Sequence, residues 1–255
     1  MARSFVRAST QFLSVASQWV SGFPLTLSAW VYVTADADQY FFGLDNGLSG
    51  ASVEILGVYT NSSGKFGMYA QRAGVGEFTS VVTTTSATLS TWMHVAVTLP
   101  AANSGWKYYV NGADVTPSIA YGMTAWPTIS RSMIGNCSYG GVNYPLGGRV
   151  AHAAIWSASL DAEDVASLAS GFSPSLVRPS SLVAHYPLGG FHGDYDRDSV
   201  GGYNLTPSGS PTFADQPRII YPQGPHGVQL SASIPPAATP WLYARRSSRI
   251  IGGAV

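Results

Sequence analysis

Nine residues, Leu25-Thr26-Leu27-Ser28-Ala29-Trp30-Val31-Tyr32-Val33, alternate apolar with polar or amphipathic side chains, and this alternation constrains the chain more than any other feature. A strand turns successive side chains to opposite faces, so Leu25, Leu27, Ala29, Val31 and Val33 share one side that has to be buried. Trp92 to Leu99 repeats the pattern with Met93, Val95, Val97 and Leu99, and Pro100, which has no N–H to donate, ends it. Trp106 to Val110 runs into Asn111-Gly112, the pair best suited to the positive φ angles of a type I′ turn, which predicts a hairpin. Further strands are predicted at 4–8, 11–15, 40–44, 52–58, 65–71, 78–84, 131–135 and 148–156, and over Leu182 to Leu188. Short strands at this spacing predict an all-β sandwich or barrel, and 255 residues suffice for one principal domain of that kind.

One helix interrupts the pattern. Asp161 is an N-cap residue, Asp164 stands at the third helical position, Leu160 can staple onto Val165, and Gly171 supplies a left-handed stop, so a short peripheral helix is predicted from Ala162 to Ser170. From Asp215 onward Pro217, Pro222, Pro225, Pro235, Pro236 and Pro240 exclude helix and central strand. The chain therefore divides into a body, 1–214, and an extended C-terminal arm, 215–255, whose apolar and basic anchors are Ile219, Ile220, Tyr221, Trp241, Tyr243, Arg245, Arg246 and Arg249. The body carries nine basic and twelve acidic side chains and the arm four basic and one acidic, so the two can attract each other or neighbouring copies in a homo-oligomer.

Charged residues make up only 10% of the chain, against roughly 25% in an average domain, and the net charge is zero. That balance argues against nucleic acid as a partner. Cys137 is alone, so no intrachain disulfide forms. The N-terminus has no apolar signal stretch, and nowhere do 18 apolar residues run together; the expectation is a protein made in a host cytoplasm that does not enter the membrane.

Gln11-Phe12-Leu13-Ser14-Val15, Phe23 to Val31, Thr91 to Thr98, Tyr108-Tyr109-Val110-Asn111-Gly112, Met133-Ile134-Gly135 and Gly147 to Trp156, leading into the capped helix, follow one another in an order that resembles the laminin-G-like, concanavalin A-like family. The resemblance spans residues 4–171 and implies an antiparallel jelly-roll β-sandwich. Leu182 to Thr206 is similar to the segment that usually opens such a domain, which implies a late strand supplied from the far end of the chain. With the Pro-rich arm after it, this arrangement resembles small bacteriophage virion proteins.

Chemistry is sparse. Glu54, Glu77 and Glu163 are the only glutamates; Glu54 has no second carboxylate two or four residues away, Glu77 sits beside glycines and Glu163 belongs to the helix start, so a glycosidase pair is not expected. No G-x-S-x-G elbow, phosphate loop or zinc helix occurs. Asp194, Asp196 and Asp198 alternate as calcium ligands can, but Ser199 and Leu205 stand where an EF-hand loop has Gly and Glu, which favours a solvated acidic turn. Asp45-Asn46 and Asp36/Asp38 are further rim candidates, and no cofactor is expected. Trp30, Trp92 and Trp156 are expected in the core and His94 and His152 as structural imidazoles. Trp126, Tyr139 and Tyr144 fall in apparent loops and are the candidates to stack on a sugar. The expected role is non-catalytic: a structural protein of a phage particle, decorating the capsid or associated with the tail, whose arm contacts other virion proteins. The alternative is a carbohydrate-binding module for cell-surface glycans.

Overall fold

The period-two strands pair as their buried faces require. In a computed structural model that describes residues 1–189 and 196–221, Leu25–Val33 lies antiparallel to Trp92–Leu99, with Leu25 opposite Leu99 and Tyr32 opposite Trp92. Gly148–Trp156 pairs on its other side. Lys107–Val110 and Ala113–Asp114 extend this first sheet at one edge, joined by Asn111 at φ 49° and Gly112 at φ 82°, as a type I′ turn demands. Ala2–Phe5 and Thr212–Ala214 extend it at the other edge, and Leu182–Tyr186 pairs with the second half of Gly148–Trp156. The second sheet runs in the order Thr206–Ser208, Phe12–Val15, Arg131–Ile134, Gln39–Asp45, Glu54–Thr60, Lys65–Arg72, Glu77–Ser86. Its neighbours are antiparallel too.

The two sheets close on one core. Leu25, Leu27, Ala29, Val31 and Val33, the face read from the sequence, meet Phe42, Leu44, Leu56, Val58, Phe66 and Met68 of the facing sheet. Fully burying such side chains contributes about 1.5–3 kcal/mol each. The helix, Ala162–Ala169, carries the expected capping box between Asp161 and Asp164 and buries Val165 and Leu168 against Tyr109 and Trp156 on the outside of the first sheet.

Three expectations change. The strand read at 4–8 ends at Phe5, because a 3₁₀ turn, Arg7–Ser9, carries the chain from the first sheet to the second, where Phe12–Val15 begins. Trp156 is fully buried, but Trp30 and Trp92 alternate with the core residues and so face outward, half-buried, Trp30 against His94 and Trp92 against Tyr32. The late segment supplies three strands rather than one: Leu182–Tyr186, then Thr206–Ser208 beside Phe12–Val15, and Thr212–Ala214 beside Ala2–Phe5.

Candidate functional site

Two G-x-Y triplets, Gly57-Val58-Tyr59 and Gly67-Met68-Tyr69, lie on neighbouring antiparallel strands in a register that sets Gly57 opposite Tyr69 and Tyr59 opposite Gly67. Val58 and Met68 point into the core, so the glycines and tyrosines face out. Both glycines are needed as floor. A Cβ on Gly57 would stand 2.3 Å from Cε1 of Tyr40, and one on Gly67 would stand 2.7 Å from Cζ of Tyr59, so each ring lies flat over bare backbone. Tyr40 and Tyr59 are 5.1 Å apart between centroids and inclined at 31°.

A small hairpin, Ser138–Tyr139 with Val142–Asn143, brings two more rings over this face. Tyr144 lies 5.8 Å from Tyr40, and Tyr139 meets Tyr69 edge-on at 5.7 Å and 80°. With Asp38 and Ser80 on the rim, the five tyrosines line an open pocket of about 340 Å³. Small-molecule sites span roughly 300–1,000 Å³, so this one suits a ligand of one or two rings. Burial pushes the phenols of Tyr40, Tyr59 and Tyr69 above their ordinary value, which keeps them as neutral O–H groups able to donate. Tyr69 Oη donates to Gln71 Oε1 at 2.6 Å. Behind the floor, Cys137 is fully buried with Tyr40, Val53 and Ile55, and its thiol is pushed up by that burial.

The matching family description is the concanavalin A-like lectin/glucanase superfamily, of laminin-G type, over residues 7–166. The chain belongs to this superfamily. Among solved structures of the concanavalin A-like fold, it is similar to the CBM40 module of a Ruminococcus gnavus IT-sialidase bound to α2,3-sialyllactose, at 18% identity and a TM-score of 0.50 over 57% of this chain and 82% of that one. It is also similar to a Bacteroides ovatus protein described as carbohydrate binding, at 19% identity and a TM-score of 0.60 over 85% of this chain and 60% of that one. At these identities the likeness shows the fold. No curated protein matches the sequence.

Within this concanavalin A-like sandwich, Tyr139 and Tyr144 lie together on one pocket, and Trp126 does not join them. It packs edge-on against Phe23 at 5.1 Å beside the core, with Nε1 buried and unbonded, because its buried neighbours Met123, Pro127 and Ile129 tuck the loop in. Tyr40, Tyr59 and Tyr69 were missed in the sequence because they sit inside strands read for their core phase. The repeated G-x-Y ten residues apart is the signal that marks Tyr59 and Tyr69, and nothing comparable marks Tyr40. A larger cavity of about 590 Å³ lies along Ser17–Pro24, but its one indole is committed, Trp19 Nε1 donating to Tyr186 Oη at 2.8 Å.

Two carboxylates of the acidic run, expected in a solvated turn, are instead engaged by the fold. Asp196 pairs with Arg3, whose Nε donates to Oδ1 at 2.8 Å, and Asp198 is buried, accepting from the backbone N–H groups of His185, Val200, Gly201 and Tyr203 at 2.9–3.1 Å. Two of the three carboxylates are thus occupied by the fold, and Asp194 lies outside the described residues. Asp45 is likewise taken, by Arg131 and the N–H groups of Gly47 and Ser138. Among the described residues no group of three or more His, Cys, Asp or Glu side chains could hold a metal ion.

Of the arm anchors, Ile220 forms a parallel bridge to Phe172, and Tyr221 Oη meets His152 Nε2 at 3.1 Å. These contacts lie on the chain's own sandwich, which therefore continues past residue 214. Both side chains remain more than a third exposed. Trp241, Tyr243, Arg245, Arg246 and Arg249 lie outside the described residues. No helix among the described residues is long and apolar enough to cross a membrane.

Proposed function

We propose that the protein is a non-catalytic carbohydrate-binding module whose tyrosine pocket receives a sugar ring. The observation that carries this is the convergence of five phenols, from three strands and a hairpin, on one outward-facing pocket with glycines beneath them. Aromatic faces pack against the C–H faces of a sugar while their hydroxyls and a rim carboxylate bond its polar edge. Superfamily membership supports the reading, as do the carbohydrate ligand and description of the two similar structures.

The glutamates support a binding role over a hydrolytic one. Glu54 accepts from the N–H of Thr128, Glu77 pairs with Arg72 at 2.8 Å and bonds Thr124, and Glu163 sits in the first helical turn; none lines the pocket. The test is a glycan array followed by calorimetric titration of the best ligand. Tyr59→Ala or Tyr139→Ala is expected to weaken binding by about five- to tenfold, consistent with stacking worth about 1–1.5 kcal/mol, with the melting temperature little changed. A blank array across bacterial polysaccharides, or a titration indifferent to both substitutions, rejects the pocket.

A place on a bacteriophage particle, with the arm contacting other virion proteins, is a separate proposal supported by the Pro-rich tail and the sequence resemblance. Recovery of the protein in purified particles tests it, and recovery only as free protein rejects it.

A further inference from the structure

The charge of the pocket is one-sided. Among the described residues its lining offers five phenols, the Ser80 hydroxyl and the Asp38 carboxylate, and no cationic side chain. Asp38 is exposed, accepts the Ser62 N–H at 3.0 Å through Oδ1, and has no salt-bridge partner among the described residues. It lies near enough to Tyr59 to help push that phenol's pKa up. Of the cations on adjoining elements, Arg72 is paired with Glu77 and Arg131 with Asp45, while Arg7 and Lys65 are tied to carbonyls. Arg7 donates to the main-chain oxygens of Asp38 and Pro145 at 2.6 and 3.4 Å, and Lys65 donates to that of Thr84 at 2.5 Å.

Such a lining discriminates by ligand charge. The face of a tyrosine ring carries the negative end of its quadrupole and attracts an ammonium group. A carboxylate on the same rim adds to that attraction and repels an acid. A sialoside brings a carboxylate, and no cation among the described residues lining this pocket would pair with it. We infer that the tyrosine pocket selects sugars bearing a free amine, the ammonium resting between the ring faces and Asp38, and disfavours acidic sugars; this rests on the sugar-binding reading above. An N-acetylated sugar keeps the ring faces and hydroxyls but loses the charge, so it is the matched neutral control.

The experiment titrates the full-length protein at pH 6 with a β-1,4-linked glucosamine trimer, the corresponding N-acetylglucosamine trimer and 3′-sialyllactose, in wild type and Asp38→Asn. Asparagine retains an oxygen for the Ser62 N–H, so the rim keeps its shape. The glucosamine trimer is expected to bind about tenfold more tightly than its acetylated counterpart, from one cation–π contact and one exposed charge pair. The gap should shrink to about threefold in Asp38→Asn, the share left to the cation–π contact, chiefly through weaker binding of the amine, and should narrow in wild type at high salt. Equal or tighter binding of the acetylated trimer or of sialyllactose overturns the selectivity and leaves the sugar-binding reading standing. A gap undiminished in Asp38→Asn also overturns it, because the amine is then held away from the rim. Failure of the glucosamine trimer to bind overturns it whatever else binds, and only a blank glycan array beside that failure removes the parent reading as well.

Discussion

Three imidazoles are sealed into this sandwich in their neutral form. His94 bonds Ser28 Oγ through Nε2 at 2.8 Å, and burial lowers its pKa to about 3. His152 and His185 meet at 3.3 Å in a chain that runs from Ser199 through both rings to Tyr221. Burial first, and for His152 the neighbouring imidazole next, lowers their pKa values to about 3 and about 4. Their unfolded value is about 6.5, so below that pH the unfolded chain takes up protons that the native protein refuses. The stability these groups contribute is complete above pH 6.5 and is lost as pH falls toward 4. Thermal melts should therefore show the midpoint falling steadily from pH 7 to pH 5, where ordinary carboxylates are still ionised. His185→Gln should flatten that slope. A midpoint constant over this interval would mean that the rings are not sealed. These roles were legible only in outline: a histidine in a strand pattern reads as structural, but the pairing of His152 with His185, 33 positions apart, depends on which strands become neighbours.

At the scale of elements, the floor of the pocket is a pairing rule. Each glycine of one triplet faces the tyrosine of the other across the ladder, and the space that the missing side chain leaves is where a ring lies. Gly57→Ala should push the Tyr40 ring off the sheet, cost about 1–3 kcal/mol as local overpacking, and lower sugar affinity at least as much as deleting Tyr59 does. Urea melts and calorimetry on the same preparation separate the two effects. The inner face of each strand was readable from its alternation, because burial on one side writes a period of two into the sequence. The outer face was not, since residues there answer to neighbours across the sheet. Trp30 and Trp92 show the resulting error: assigned to the core for their place in family-like strands, they belong to the phase opposite their core neighbours. Thr206–Ser208 and Thr212–Ala214 were unreadable for a different reason, being three-residue edges rich in Ser, Thr and Pro that the sequence marks with no periodicity.

Across the whole molecule, those two late strands cover edges that the first fifteen residues would otherwise leave open, one on each sheet. An open strand edge invites pairing with other chains. Truncation after Leu205 should therefore yield aggregated protein. Truncation after Tyr221 should melt within about 2 °C of full length, whereas truncation after Ala214, which removes the Ile220 bridge and the Tyr221–His152 contact, should melt several degrees lower, at 2–4 °C per kcal/mol. Scanning calorimetry on the three proteins checks the order. The same closure has a mechanical side. Ala2 lies opposite Ala214, and the Met1 ammonium donates to Gln216 Oε1 at 2.8 Å, so both strands of this pair are gripped from the same end. Because antiparallel ladder bonds run across the strands, a force drawing residues 1 and 216 apart loads them one after another. The pair unzips at low force, so tension applied there peels a hem from the sandwich before it strains the stack of rings and aliphatics within.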